Sequence, residues 1–150
     1  MAAMILLDTN ILYHILHKTS LTEEALTLLD DNPGEYVVDT IVHNELIYTS
    51  TLHYLEHRHG VKGAYSARKW IRKHGYPGEV VHAVEELIKR LDIRLVQSIY
   101  TEKELYETLL NYRLLPSDAI IALTCKHYGI ERILTFDEDF KRVPWLAVLP

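Results

Sequence analysis

Hydrophobic positions along the chain fall into two kinds of run. Short continuous runs of strand length occur at Met4 to Leu7, Tyr36 to Asp39, Ile93 to Gln97, Arg132 to Thr135 and Trp145 to Leu149. Between them lie longer stretches with helical spacing. Ile11, Leu12, Ile15 and Leu16 share one helical face, and a second helix is expected from Thr22 to Asp30, stopped by Asp31-Asn-Pro-Gly34. After the second strand, Val42, Leu46 and Thr49 form one stripe with Glu45 beside it. A polar helix follows Gly60 and runs to Gly75. Val80, Val81, Val84, Leu87, Ile88 and Leu91 then give the clearest helical period in the sequence. Thr101 and Glu104 have capping-box spacing, Pro116 to Asp118 open an apolar helix, and Gly129 stops it.

Strands that alternate with helices, and that read as unbroken apolar runs, predict an α/β fold with a mainly parallel central sheet flanked by helices. The two helices around residues 41–75 are expected to project from it as an arm. The 150 residues suit one domain, residues 1–150, and with 48% hydrophobic residues there is enough to build a core. No apolar stretch is long enough to span a membrane. The first apolar run lacks a basic leader and is cut short by Asp8, so no secretory leader is expected. A single cysteine, Cys125, excludes an internal disulfide framework and points to a reducing, cytoplasmic setting. Net charge is −5, so the chain as a whole is no basic nucleic-acid sleeve, although a local patch would still bind.

Four acids change the picture. Asp8 follows the first strand, Glu45 lies early in the helix after the second, Asp118 opens the apolar helix, and Asp137 follows the fourth strand. Taken singly, Asp8 and Asp118 read as helix caps, Asp137 and Asp139 as turn residues, and Glu45 as a solvent-facing position. In a parallel sheet, however, strand ends share one edge, so these acids would converge. Converging carboxylates repel, and hard cations such as Mg²⁺ or Mn²⁺ resolve that repulsion because they prefer oxygen ligands. Carboxylate-held metals acidify water and stabilise charge on phosphate oxygens. The set therefore suits metal-assisted hydrolysis of phosphodiesters.

In this order, "LLDTN", "NEL", "PSDAIIALTCKHYGI" and "ILTFDEDF" resemble the successive motifs of the PIN-domain family, and among its members the VapC-type toxins of prokaryotic toxin–antitoxin pairs. The resemblance runs from Met4 to the last strand. It implies a five-stranded parallel sheet and a Mg²⁺- or Mn²⁺-dependent endoribonuclease with one or two ions on Asp8, Glu45, Asp118 and Asp137. Thr9, Asn10, Ser117 and Thr135 match polar positions around the site, with Asp139 as an alternate acid. It further implies a homodimer and a cognate antitoxin protein that covers the site. The segment from Leu46 to Ile93 is longer than in the most compact members, which leaves substrate and partner choice open.

From His57 to Gly78 there is no acidic residue, while Arg58, Lys62, Arg68, Lys69, Arg72 and Lys73 carry +6 against −11 for the rest of the chain. That asymmetry is what an RNA-facing surface needs, and Tyr65, Trp70 and Tyr76 are available to stack on bases. A solvated helix with Trp70 turned to protein, or a face for an acidic antitoxin segment, is the competing reading. His53, His57 and His59 are expected at the surface, His14 and His17 on a helix face, and Cys125 in the core. Two other functions compete: a PIN nuclease of RNA maturation or quality control, and a phospho-receiver-like interaction domain. The latter would want paired acids after the first strand and a late lysine, and "LLDTN" lacks the pair.

Overall fold

The computed structural model describes residues 2–149. Five strands form one sheet: β1 (Met4–Leu7), β2 (Glu35–Asp39), β3 (Arg94–Val96), β4 (Arg132–Leu134) and β5 (Ala147–Leu149). Their order is β3-β2-β1-β4-β5, and every neighbouring pair is parallel. Seven helices surround it: α1 (Thr9–Leu16), α2 (Thr22–Asp31), α3 (Thr40–His59), α4 (Gly63–His74), α5 (Gly78–Arg90), α6 (Glu102–Tyr112) and α7 (Pro116–Tyr128). All five expected strands and all the expected helices are present.

The sheet is wound in two directions from its centre. From β1 the chain steps outward to β2 and β3, then crosses to the other side of β1 for β4 and β5. The order reverses between β1 and β4, and a crevice opens at the carboxyl ends of the strands there. Ile5, Leu6, Leu7, Val37, Val38, Ile133 and Leu134 are buried, as expected for strands covered on both faces. α7 is apolar nearly all round, burying Ala119, Ile121, Ala122, Leu123 and Cys125, which makes it a core helix. The Cys125 thiol is enclosed, and burial pushes its pKa up, so it is packing material rather than a nucleophile.

Local signals act as the sequence predicts at several ends. Thr101 and Glu104 close a complete capping box on α6, and Gly129 ends α7 with φ +71°. The expected arm needs correction. α3 does not project: it buries Val42, Leu46, Ser50, Thr51 and Leu55 and packs on α1, α5, α7 and β2. Only α4 stands off the sheet, packed on α3 with Ala67 as its one buried residue. The long-helix reading missed this because the α3 stripe is interrupted by threonine, serine and histidine, which look solvent-facing until tertiary contacts cover them. Asp137 and Asp139, which singly read as turn residues, cap and belong to a short 3-10 helix at Glu138–Arg142 around buried Phe140.

Gly34 stops α2 and also admits β1. A Cβ there would stand 2.7 Å from the Ala3 carbonyl oxygen and 2.8 Å from Ile5 Cδ1. Glu35 N donates to that same Ala3 carbonyl at 3.0 Å, so neither strand can give way. Gly34→Ala is expected to destabilise the fold by about 1–3 kcal/mol through overpacking, read as a lower urea midpoint with an unchanged slope.

Candidate active site

Topology brings four sequence-distant acids to one edge. β1 delivers Asp8 at its carboxyl end, and β4 delivers Thr135 and Asp137 at the adjacent carboxyl end. α3 begins where β2 ends, so Glu45 lies within two turns of that edge. α7 runs back towards the start of β4, so its first turn, with Asp118, also lies there. Asp8, Glu45, Asp118 and Asp137 line a single cavity of about 520 Å³, together with Thr9, Asn10, Tyr13, His14, Thr49, Leu52, His53, Glu56 and His57.

Asp8 is the pivot of a hydrogen-bond network across the β1–β4 seam. Its Oδ1 accepts from Thr9 N at 2.8 Å, capping α1, and its Oδ2 accepts from Thr135 Oγ1 at 2.7 Å. Asn10 Nδ2 donates to Asp8 Oδ2 and Thr135 Oγ1, while Asn10 Oδ1 accepts from Phe136 N at 3.2 Å. Asp137 N donates to Thr135 Oγ1 at 2.9 Å. The threonine hydroxyl thus ties the Asp8 carboxylate to the backbone of Asp137. Asp8 is both a cap and a cavity wall.

The acids strain one another electrostatically. Burial raises the Asp118 pKa to about 7, with Asp8, Asp137, Glu45 and Asp139 adding repulsion. Burial also raises Asp8, opposed by its bonds from Thr135 and Thr9, and raises Glu45, with Asp8 and then Asp39 contributing. Glu45 Oε1 is buried without a hydrogen-bond partner, and so is Thr9 Oγ1. Such orphaned oxygens are costly unless something fills the cavity beside them. The donor set is all oxygen, which is the chemistry hard divalent cations select. Among the described residues, no three Asp, Glu, His or Cys side chains converge tightly enough to enclose an ion unaided.

The polar positions predicted around the acids divide. Thr9 and Asn10 line the cavity, and Thr135 lies beneath it as the bridge just described. Ser117 is exposed on the first turn of α7 and does not line the cavity. Asp139 does not line the cavity, and its Oδ1 accepts from Arg142 Nη1 at 2.9 Å.

Sequence reasoning passed over Asp39, although it shows the same signal as Asp8: an apolar strand ending on a carboxylate before a helix. It is buried, caps α3 through Val42 N at 2.9 Å, and accepts from Ser98 Oγ at 2.9 Å. It lies outside the cavity, one strand away from the switch point, and works as a cap. Sequence reasoning read His53 and His57 as surface and His14 and His17 as one helix face, whereas these four histidines of α1 and α3 gather beside the acids. Their spacing, three or four apart on two helices, was the available signal.

The predicted basic residues split over two surfaces. Arg68 and Arg72 line a groove with Tyr48, Leu52 and Tyr76, and Leu52 also lines the acidic cavity. Lys62, Lys69 and Lys73 line another groove with Trp70. Tyr76 is half-exposed and bonded through its hydroxyl to Thr51 Oγ1, and Trp70 lies between His59 and His74. Arg58 lines neither groove.

The family model described as "PIN domain" matches residues 5–146. The chain belongs to the PIN-domain family. Two ribonucleases of Methanocaldococcus jannaschii, VapC6 and VapC2, are similar to it. They are 24% identical over 97% of this chain and 95% of VapC6, and 29% identical over 97% of this chain and 92% of VapC2. Two solved structures share the fold. One is VapC20 of Mycobacterium tuberculosis, a Sarcin-Ricin loop cleaving toxin (TM-score 0.64, 18% identity, 97% of this chain and 99% of that one). The other is a toxin-antitoxin complex from Klebsiella pneumoniae (TM-score 0.57, 19% identity, 95% of each chain). The PIN fold read from the motifs therefore stands. No described helix is long and apolar enough to cross a membrane.

Asp118 makes a sharp stability prediction for this PIN domain. Its folded pKa is raised to about 7 from 3.8, so its contribution favours the fold at low pH and is lost as pH rises from about 4 through 7. His17 runs the other way, because its folded pKa is lowered to about 4 and its contribution falls away as pH drops below 6.5. That slope is common to wild type and variant. In EDTA, Asp118→Asn is expected to melt several degrees above wild type near pH 8, equivalent to ~2 kcal/mol, with the gap closing near pH 4. Calorimetry across that range checks it.

Proposed function

We propose that this chain, acting as a single PIN domain, is an endoribonuclease that hydrolyses RNA phosphodiesters with Mg²⁺ or Mn²⁺, and that it is the toxin of a toxin–antitoxin pair. The observation that carries this reading is the convergence of Asp8, Glu45, Asp118 and Asp137 on one cavity at the switch point of the sheet, with Glu45 Oε1 buried and unsatisfied. The ribonuclease names of the two archaeal relatives and the toxin-antitoxin complex among the solved structures point the same way. The partner that follows is an antitoxin protein, and the assembly a homodimer. A phospho-receiver role is disfavoured by the cavity itself, because no lysine is among the described residues lining it.

Asp8, Glu45, Asp118 and Asp137 would hold one or two ions. When bound, such an ion supplies positive charge to the phosphodiester and acidifies water at neutral pH. The chain's own work is positioning. Thr135 and Asn10 lock the Asp8 carboxylate in one orientation, so it cannot turn away from the cavity. Asp137 is held by the backbone bond to the same threonine. Asp118, whose pKa burial and its acidic neighbours raise to about 7, would hold a cation as the ionised carboxylate, which favours its deprotonated form. Water then adds to phosphorus, and the bond to the leaving ribose oxygen breaks.

The two grooves on α4 support a track for the RNA backbone. Arg68 and Arg72 line a groove that shares Leu52 with the acidic cavity, whereas Lys62, Lys69 and Lys73 line a separate groove with Trp70.

Asp118→Asn is expected to lower the rate of Mn²⁺-dependent cleavage of total RNA by at least about two orders of magnitude. It is the preferred disabling change because Asp8→Asn also disturbs the α1 cap. Persistent metal-dependent cleavage in Asp118→Asn refutes the assigned mechanism. Mapping the cut sites in the same experiment identifies the target. For the track, Arg68→Glu with Arg72→Glu should raise KM for RNA and flatten its salt dependence more than Lys69→Glu with Lys73→Glu does. Equal effects from the two pairs, or none, argue against it.

A further inference from the structure

The cavity has a second wall that the acids do not explain. Three imidazoles stack along it, from His17 on α1 through His53 to His57 on α3. Ring centroids are 4.1 Å apart for His17 and His53 and 4.0 Å for His53 and His57, with interplanar angles of 35° and 20°. Tyr13 abuts the first two rings, edge-on to His53. Each ring is held by a hydrogen bond: His17 Nε2 with Ser50 Oγ at 2.9 Å, His53 Nδ1 with the Tyr13 hydroxyl at 2.9 Å, and His57 Nδ1 donating to the His53 carbonyl at 2.9 Å. Tyr13, His53 and His57 line the same cavity as the four acids, whereas His17 lies behind them as the base of the stack.

The pile ends at the surface. His57 is exposed, and among the described residues no further ring covers its outer face. A planar partner can therefore continue the stack without displacing anything. We propose that this imidazole shelf is a base subsite: an unpaired nucleobase next to the scissile phosphate stacks on His57 while the phosphate sits at the carboxylates. The proposal rests on the ribonuclease reading above and adds the element that holds the nucleotide.

The alternative use of histidines beside a phosphate site is a cationic clamp. Burial, then the neighbouring imidazoles, keeps His17 near a pKa of about 4, and burial and His57 lower His53. The two inner rings are thus biased to the neutral form, which makes them poor phosphate clamps, while the parallel stacking leaves an open π face at the outer end. Bases of any identity can use such a surface, because every base has a π face.

The test measures binding of short single-stranded RNA oligonucleotides of random sequence, and of an abasic ribose-phosphate chain of equal length, to Asp118→Asn protein. With the shelf intact, RNA should bind about tenfold more tightly than the abasic chain, the scale of one base–aromatic stack. Adding His57→Ala should erase that preference without lowering Tm, and His57→Phe should restore it. In protein with all four acids, His57→Ala should raise KM about tenfold with kcat nearly unchanged. Three results overturn the shelf while leaving the ribonuclease reading intact: an unchanged preference in His57→Ala, equal losses in the alanine and phenylalanine variants, or an effect confined to antitoxin binding. Absence of any metal-dependent RNA cleavage by the wild-type chain overturns the ribonuclease reading first, and the shelf with it.

Discussion

Burial of carboxylates gathered at one edge of the sheet, with their mutual repulsion added, is the constraint around which this molecule is arranged. Burial and three acidic neighbours on the cavity wall hold Asp118 near a pKa of about 7, and the same forces raise Asp8 and Glu45. A fold free of other demands would replace these groups with apolar ones, because an uncompensated buried charge is strongly destabilising. The rest of the structure offsets the cost. Fully apolar strands anchor the floor of the cavity, α7 packs as a core helix beneath Asp118, and Thr135 and Asn10 supply donors to the most buried carboxylate.

That arrangement explains why the site is open rather than a closed cage. The carboxylates come from four separate elements, and no three of them meet tightly among the described residues. The groove lined by Arg68 and Arg72 shares Leu52 with the acidic cavity, whose other lining includes His53 and His57. α3 carries His53 and His57 and packs against α4, the helix that carries Arg68 and Arg72.

Legibility in the sequence followed the range of the physics. Strands covered on both faces read as continuous apolar runs, so Met4 to Leu7 and Arg132 to Thr135 were visible at once. Capping at Thr101 and the glycine stop at Gly129 depend only on neighbours and were equally plain. The α3 helix was legible as a helix but not as core, because Ser50 and Thr51 are buried by contacts with distant elements. Asp8 and Asp39 carry the same local pattern, and nothing local separates them. Both cap a helix, but only Asp8 lies beside the reversal in strand order.

By itself, then, the sequence determined the alternation of strands and helices, the positions of the acids at strand ends and helix starts, and the charge asymmetry around α4. These depend on periodicity, capping and composition, which are written in neighbouring residues. Tertiary structure decided which carboxylates share a cavity, which basic residues line the groove that shares Leu52 with it, and that histidines on two different helices stack into one surface. Those outcomes depend on strand order and helix packing, which set distances between residues far apart in the chain.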